Sequence, residues 1–460
     1  MEMKNKMGYV PINKLMFTMG MPMILSMVVQ AFYNIVDTFF ISNITSSSIA
    51  DLADYAINAL TLAFPIQMLM VAIGVGTGVG VNSLLSKYLG EKNYEKASLV
   101  AGNAIFTAIC MYILFLLFGF FGVDIFLKSQ TSNELVLSLG SSYLKLCCIL
   151  SFGSIGSMIY EKLLQSTGKT HLSTVAQLVG ALTNIVLDPI LIFGLFGLPK
   201  MDVVGAALAT VIGQILTLVL DMIFHYCFNK EIDGKLVYLR PNKKTIIGIY
   251  RVGIPAIIMQ SLMSVMSYGI NIIYGLVSET AVTAFGIYYK IQQFVFFAAF
   301  GINNAMIPII AFNYGKQDKK RVKDGIKYGM IYTLVLMAIG LLILEIFADP
   351  LAKVFSLNQD STKMTVLALQ IVPLGYLFAG ANIAFQGIYQ ALGFGIKSLI
   401  LSLVRLIIVT LPAAWIFTLF SNADTMIWWA FPLGELVAFI LGLYFQRKIN
   451  QDCINKIKDN

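Results

Sequence analysis

Two aspartates stand where charges are rare. Asp37 is the only formal charge in the apolar run from Leu15 to Ile41, and Asp188 lies in another such run. A carboxylate well inside a bilayer helix costs about 2.5–3.5 kcal/mol even on the mildest insertion scale, so such residues are few and usually functional. Asn34 precedes Asp37 by one helical turn, and Asn184 precedes Asp188 by one, so each pair shares a helix face. At about 1.5 Å per residue, Asp37, Asn184, Asp188 and Thr210 fall at similar depth in three apolar runs, toward their outer ends. Two carboxylates, two amides and a hydroxyl at one level offer oxygens of the kind hard cations need, and a carboxylate in low dielectric can also carry a proton. Pro189 follows Asp188 and removes a backbone donor, which either frees carbonyls beside the acid or only kinks the helix for packing.

The remaining charges in apolar runs are less telling. Lys290 and Glu435 fall at similar depth in the second half, which makes an ion pair between them the expected arrangement, as a structural lock or as part of a substrate site. Arg405 lies deeper, toward the cytoplasmic side. Lys145, Glu161, Asp221 and Glu345 are near run ends or have stems that can snorkel, and they receive little weight. His171 and His225 are read as surface residues. No His-Glu-x-x-His, Walker loop or aspartate-rich prenyl-transfer motif occurs, which argues against an enzyme and against ATP as the drive. Gly74, Gly76, Gly78 and Gly80 fit close helix packing better than a phosphate loop. No cofactor is expected beyond a coupling ion, Na+ or H+, and spacing does not choose between them.

The elements that hold these residues are long helices. The chain has 460 residues, 58% hydrophobic and 12% charged, with mean hydropathy +0.80. Soluble domains carry about 25% charge. The apolar runs predict an all-α integral membrane protein with twelve spans, near 15–42, 54–82, 98–122, 134–160, 171–196, 203–228, 246–276, 280–312, 326–348, 363–392, 397–419 and 425–446. Lys and Arg crowd the N-terminus, the even-numbered loops and the C-terminal tail, whereas the odd-numbered loops hold only Lys128, Lys200, Lys353 and Lys363. That asymmetry predicts a multi-pass protein with both termini cytoplasmic. It also turns the net charge of +8 into a topology signal rather than a sign of nucleic-acid binding. The cysteines show neither disulfide nor metal spacing.

The halves repeat. Gly20-Met21-Pro22 matches Gly253-Ile254-Pro255, Tyr88-Leu89-Gly90 matches Asn313-Tyr314-Gly315, and Leu164-Gln165 with Gly168 matches Tyr389-Gln390 with Gly393. Six spans per half gives parallel repeats, a pattern of secondary transporters. The expected division is a six-helix lobe over 1–228, a linker over 229–245 and a second six-helix lobe over 246–460. The first outer loop, Ser42–Asp54, is longer than its counterpart.

The ordered set Pro11-Ile12-x-Lys14-Leu15, Gly20-Met21-Pro22, Tyr33-Asn34-Ile35-Val36-Asp37, Phe64-Pro65, Tyr88-Leu89-Gly90, Asn184 with Leu187-Asp188-Pro189, Gly205-Ala206-Ala207 with Thr210, and Asn313-Tyr314-Gly315 resembles the multidrug and toxic compound extrusion (MATE) family, nearest the bacterial DinF/MepA-like branch. The resemblance covers nearly the whole chain. It implies two six-helix lobes in a V, a central cavity, and cation-coupled antiport of amphipathic, often cationic drugs or toxic compounds across the bacterial plasma membrane, with antibiotic resistance as a consequence. It maps the coupling site onto Asp37, Asn184, Asp188 and Thr210, which would be the metal ligands if the ion is Na+, with Asn34 in support. Relatives that couple through acids in spans 7 and 10 are not matched, because no Asp or Glu lies inside those spans here. Small molecules and the bilayer are the expected partners, and a monomer the expected state. A lipid-linked precursor flippase of the same superfamily and a non-transport scaffold are the alternatives.

Overall fold

The computed structural model describes residues 5–44, 52–354 and 359–457. All regular structure among them is helical. The helices are α1 (Ile12–Ser42), α2 (Leu52–Gly90), α3 (Tyr94–Phe121), α4 (Val123–Lys128), α5 (Glu134–Ile149), α6 (Phe152–Ser166), α7 (Thr170–Phe193), α8 (Asp202–Phe228) and α9 (Lys243–Gly275). They continue with α10 (Glu279–Gly315), α11 (Lys319–Lys353), α12 (Gln359–Ile371), α13 (Tyr376–Ala391), α14 (Gly395–Leu403), α15 (Thr410–Phe417), α16 (Ala423–Met426) and α17 (Ala430–Asp452). Among the described residues, 11 helical stretches are long and apolar enough to cross a membrane, and α5 with α6 makes a twelfth if that pair is one span. The continuous span expected over 134–160 is in fact bent by 43° between α5 and α6. Side-chain caps set several starts. Asn133 accepts the Leu135 and Val136 amides ahead of α5, Ser278 accepts Ala281 ahead of α10, and Asp318 accepts Arg321 ahead of α11. Of the long first outer loop, residues 45–51 lie outside the described residues.

The chain divides into two compact units. One comprises Met1–Met27, Ser86–Asn93 and Tyr250–Asn460, the other Val28–Leu85 and Tyr94–Ile249. The start of α1 and the turn after α2 go with the second-half helices, and the basic loop 229–245 goes with the first-half helices.

In the unit ending at Asn460, an aromatic core of Tyr274, Phe285, Tyr288, Phe296 and Tyr376, with Trp428 from the turn ahead of α17, is buried among α9, α10, α11, α12 and α13. The repeat is visible in its turns. After Gly90 the chain turns through Lys92 at φ 57°, and after Gly315 through Gln317 at φ 60°. The Asn93 amide bonds the Tyr88 carbonyl at 2.9 Å, and the Asp318 amide bonds that of Asn313 at 3.0 Å. A Cβ on Gly90 would run into the Phe312 carbonyl, and one on Gly315 into the Lys87 carbonyl, so the two glycines let these helix ends cross backbone to backbone. Arg321 ties the N-terminal segment to the same corner, donating to the Met7 and Val10 carbonyls at 2.8 Å each.

In the other unit, α2 meets α6 through Gly74 and Gly78, which face Met158 and Lys162, as expected of packing glycines. Helices α7 and α8 are joined by a short connection and pack antiparallel. Gly180 and Gly213 face each other, each 2.7 Å from the other's carbonyl by the position a Cβ would take, and Gly205 lies against Leu191.

Candidate functional site

That glycine register builds the site. With Gly180 against Gly213 and Leu191 against Gly205, α8 brings Thr210 level with Asn184. The Asn184 Nδ2 group donates to Thr210 Oγ1 at 3.4 Å and to Asp188 Oδ1 at 3.3 Å. Gly205-Ala206-Ala207 passes opposite Asp188, and these small residues let the two backbones approach where the carboxylate lies. Asp188 is fully buried and Asn184 nearly so. Asp37 comes from α1, half-buried, and lies within electrostatic reach of Asp188. The structure therefore gathers Asp37, Asn184, Asp188 and Thr210 in one unit. The side chain of Asn34 lies outside the described residues.

Three oxygens at this place meet no donor: Asp37 Oδ1, Asn184 Oδ1 and Asp188 Oδ2. Buried polar atoms are normally bonded, so an unsatisfied group calls for a reason. Here the single amide of Asn184 is spent on Asp188 and Thr210, and its own carbonyl oxygen is left buried without a donor. Two carboxylates, an amide oxygen and the Thr210 hydroxyl form an oxygen-only donor set, which fits a proton or a hard monovalent cation. Among the described residues no group of three or more His, Cys, Asp or Glu side chains forms a metal cluster.

The sequence reading missed the aromatic wall of this site. The Tyr33 hydroxyl feels both Asp37 and Asp188, and Tyr143 feels Asp37 and Tyr33. Gln67 Nε2 donates to the Tyr143 hydroxyl at 3.1 Å and lies 3.8 Å from Cys147 Sγ. Tyr33 was legible, since it precedes Asp37 by one turn. Tyr143 and Gln67 come from α5 and α2, and no spacing in the sequence links them to Asp37.

The expected Lys290–Glu435 pair does not form. Glu435 Oε1 accepts from Arg405 Nε at 2.5 Å, and its Oε2 accepts from Asn382 at 2.8 Å. The cause is local. Val404–Ile408 is a single π-helical turn, its extra residue swings Arg405 inward, and the Arg405 carbonyl accepts the Thr410 hydroxyl at 2.6 Å. Gly434 packs on that carbonyl and sets Glu435 beside the guanidinium. The Arg405 guanidinium also lies over the Phe296 ring, while Lys290 is exposed. Two other expectations change. Asp221 is wholly buried rather than at a run end, and His225 is buried against Tyr160 and Tyr226 rather than on the surface. His171 is exposed, as expected.

Repeated bundles of long apolar helices, one of them holding buried oxygens that meet no donor, define a secondary-transporter fold. The chain belongs to the MatE family, whose family model matches residues 22–190 and 255–416. It is similar to the multidrug export protein MepA of Staphylococcus haemolyticus (strain JCSC1435), 25% identical over 94% of this chain and 93% of that one. It is likewise similar to MepA of Staphylococcus aureus (strain MSSA476), 26% identical over 91% and 90%, which places it on the MepA-like branch. The fold matches the outward-facing conformation of a multidrug resistance MATE family transporter of the MOP superfamily at TM-score 0.90, with 23% identity and 98% of each chain covered. It also matches a MOP superfamily transporter from Pyrococcus furiosus Vc1 (DSM3638) at TM-score 0.84, with 23% identity over 99% and 98%.

Proposed function

We propose that this MATE transporter is a cation-coupled antiporter that expels amphipathic, often cationic compounds across the bacterial plasma membrane, with both termini in the cytoplasm. The observation that carries the coupling is the trio of donorless oxygens on Asp37, Asn184 and Asp188. A cation entering there, Na+ or H+, would cancel one of the two carboxylate charges, relieve their mutual repulsion and give the Asn184 oxygen a partner. Pro189 leaves α7 short of one backbone bond beside the site, so local adjustment on ion entry costs little. Entry either competes with substrate or bends α1, and export follows. The similarity to MepA supports drug-like substrates, and the 11 spans among the described residues, 12 if α5 and α6 make one, favour an exporter over a flippase with more spans. Dye efflux from proteoliposomes under separately imposed Na+ and H+ gradients tests the proposal. Efflux should follow one gradient and vanish in Asp37→Asn and Asp188→Asn, and efflux indifferent to both gradients would refute it.

A further inference from the structure

A second buried carboxylate lies in the same unit, and the coupling reading leaves it idle. Asp221 on α8 is 0% exposed, and neither of its oxygens meets a hydrogen-bond partner. Helix α6 fixes its surroundings. Gly153 packs on Ile215 and Gly156 on Leu218, so the two helices advance together and Glu161 arrives at the level of Asp221. Glu161 is the charged group whose field reaches it.

The donors around Asp221 are engaged elsewhere. On α6, Lys162 Nζ donates to Gln165 Oε1 at 2.8 Å and lies 3.5 Å from Glu161, and the Gln165 amide donates to Glu161. On α8 itself, Thr217 donates to the Gly213 carbonyl at 2.9 Å, and His225 Nδ1 is 3.0 Å from Asn229 Nδ2. The Tyr160 and Tyr226 hydroxyls bond each other at 3.2 Å. At the start of α7, Lys169 lies 3.8 Å from Glu231, and His171 is exposed. Helix α5 also packs on α8 but ends at Ile149, before the level of Ile215, and its Lys145 pairs with Asp124.

We infer that Asp221, facing Glu161, is a second cation-binding site of this bundle, and that its ligand is a proton. A wholly buried carboxylate with no donor is stable only when neutralised. A proton does this alone, whereas Glu161 is already held by Lys162 and Gln165, which leaves a metal cation almost no free oxygens beyond those of Asp221. The site is separate from the Asp37–Asp188 group: Asp221 lies eleven residues beyond Thr210 on α8, about 16 Å along the helix axis. It goes beyond the coupling proposal and can be tested without transport.

Infrared difference spectra of the purified full-length protein, recorded in sodium-free buffer between about pH 5 and 9, read the site directly. The wild type should show a protonated-carboxyl band that titrates, lost in Asp221→Asn and retained in Asp37→Asn. Glu161→Gln should move its midpoint by about one pH unit, because the neighbouring charge is gone. This variant gives a second reading should Asp221→Asn fail to fold. An Asp221→Asn spectrum that overlays the wild type, a midpoint unmoved in Glu161→Gln, or a band abolished by added sodium at constant pH would each overturn the inference.

Discussion

Arg405 and Glu435 are almost fully enclosed, and each is the other's compensation. Removing one leaves an uncompensated buried charge, which costs about 3–5 kcal/mol, whereas replacing both can be neutral. Arg405→Met should therefore lower the unfolding midpoint in detergent strongly, and Arg405→Met with Glu435→Gln should recover most of the loss. A double variant no better than the single would contradict the pairing. The sequence supplied the buried acid but suggested Lys290 as its base, because depth along an ideal helix cannot register a π-turn. A second residue-scale case centres on Asp124, in α4 between two spans. Lys145 and Ser141 bond Asp124 at 2.6 and 2.5 Å and hold its carboxyl below the usual carboxylate value of 3.8. A depressed value stabilises the fold above 3.8, and that stabilisation is lost as pH falls through the folded-state value. Lys145→Met should lower the melting temperature slightly at neutral pH, and the deficit should vanish in strong acid. A deficit that persists there would show that lost packing, not the ion pair, is responsible.

At the scale of elements, glycines decide where the chemistry falls. Gly180 and Gly213 set the spacing of α7 and α8 and so the reach of Asn184 to Thr210. Gly213→Ala puts a methyl 2.7 Å from the Gly180 carbonyl. It should cost about 1–3 kcal/mol by overpacking and should impair efflux even where protein remains folded. Unchanged melting together with unchanged efflux would show that the register is not needed. The long helices and the one-turn pairs on their faces were legible from apolar runs and spacing, but their limits were not, since α2 runs on to Gly90 and the break between α5 and α6 leaves no mark on hydropathy. Asp37, Asn184, Asp188 and Thr210 were legible for the same reason, with the family resemblance supplying the link between runs. Tyr143 and Gln67 were not, since their meeting with Asp37 depends on how α2, α5 and α1 pack. Asp221 was discounted because its position near a run end suggested water, whereas α6 covers it.

At the scale of the whole molecule, duplication and charge asymmetry organise the chain. The twin left-handed residues Lys92 and Gln317, and Gly168 at φ 81° with Gly393 at φ 82°, show that the repeat read from short motifs is a repeat of backbone turns. The charge asymmetry carries a prediction about orientation. A cysteine introduced at exposed Phe196 should react with an impermeant thiol reagent in intact cells, and one at exposed Leu236 only after permeabilisation. The reverse pattern would invert the topology. Transport itself belongs to the whole molecule, and it gives the most direct test. Asp37→Asn and Asp188→Asn, reconstituted beside the wild type at equal protein content, should lose gradient-driven dye efflux while keeping the wild-type melting temperature. Near-normal efflux by either variant would contradict the assignment of ion coupling to this site.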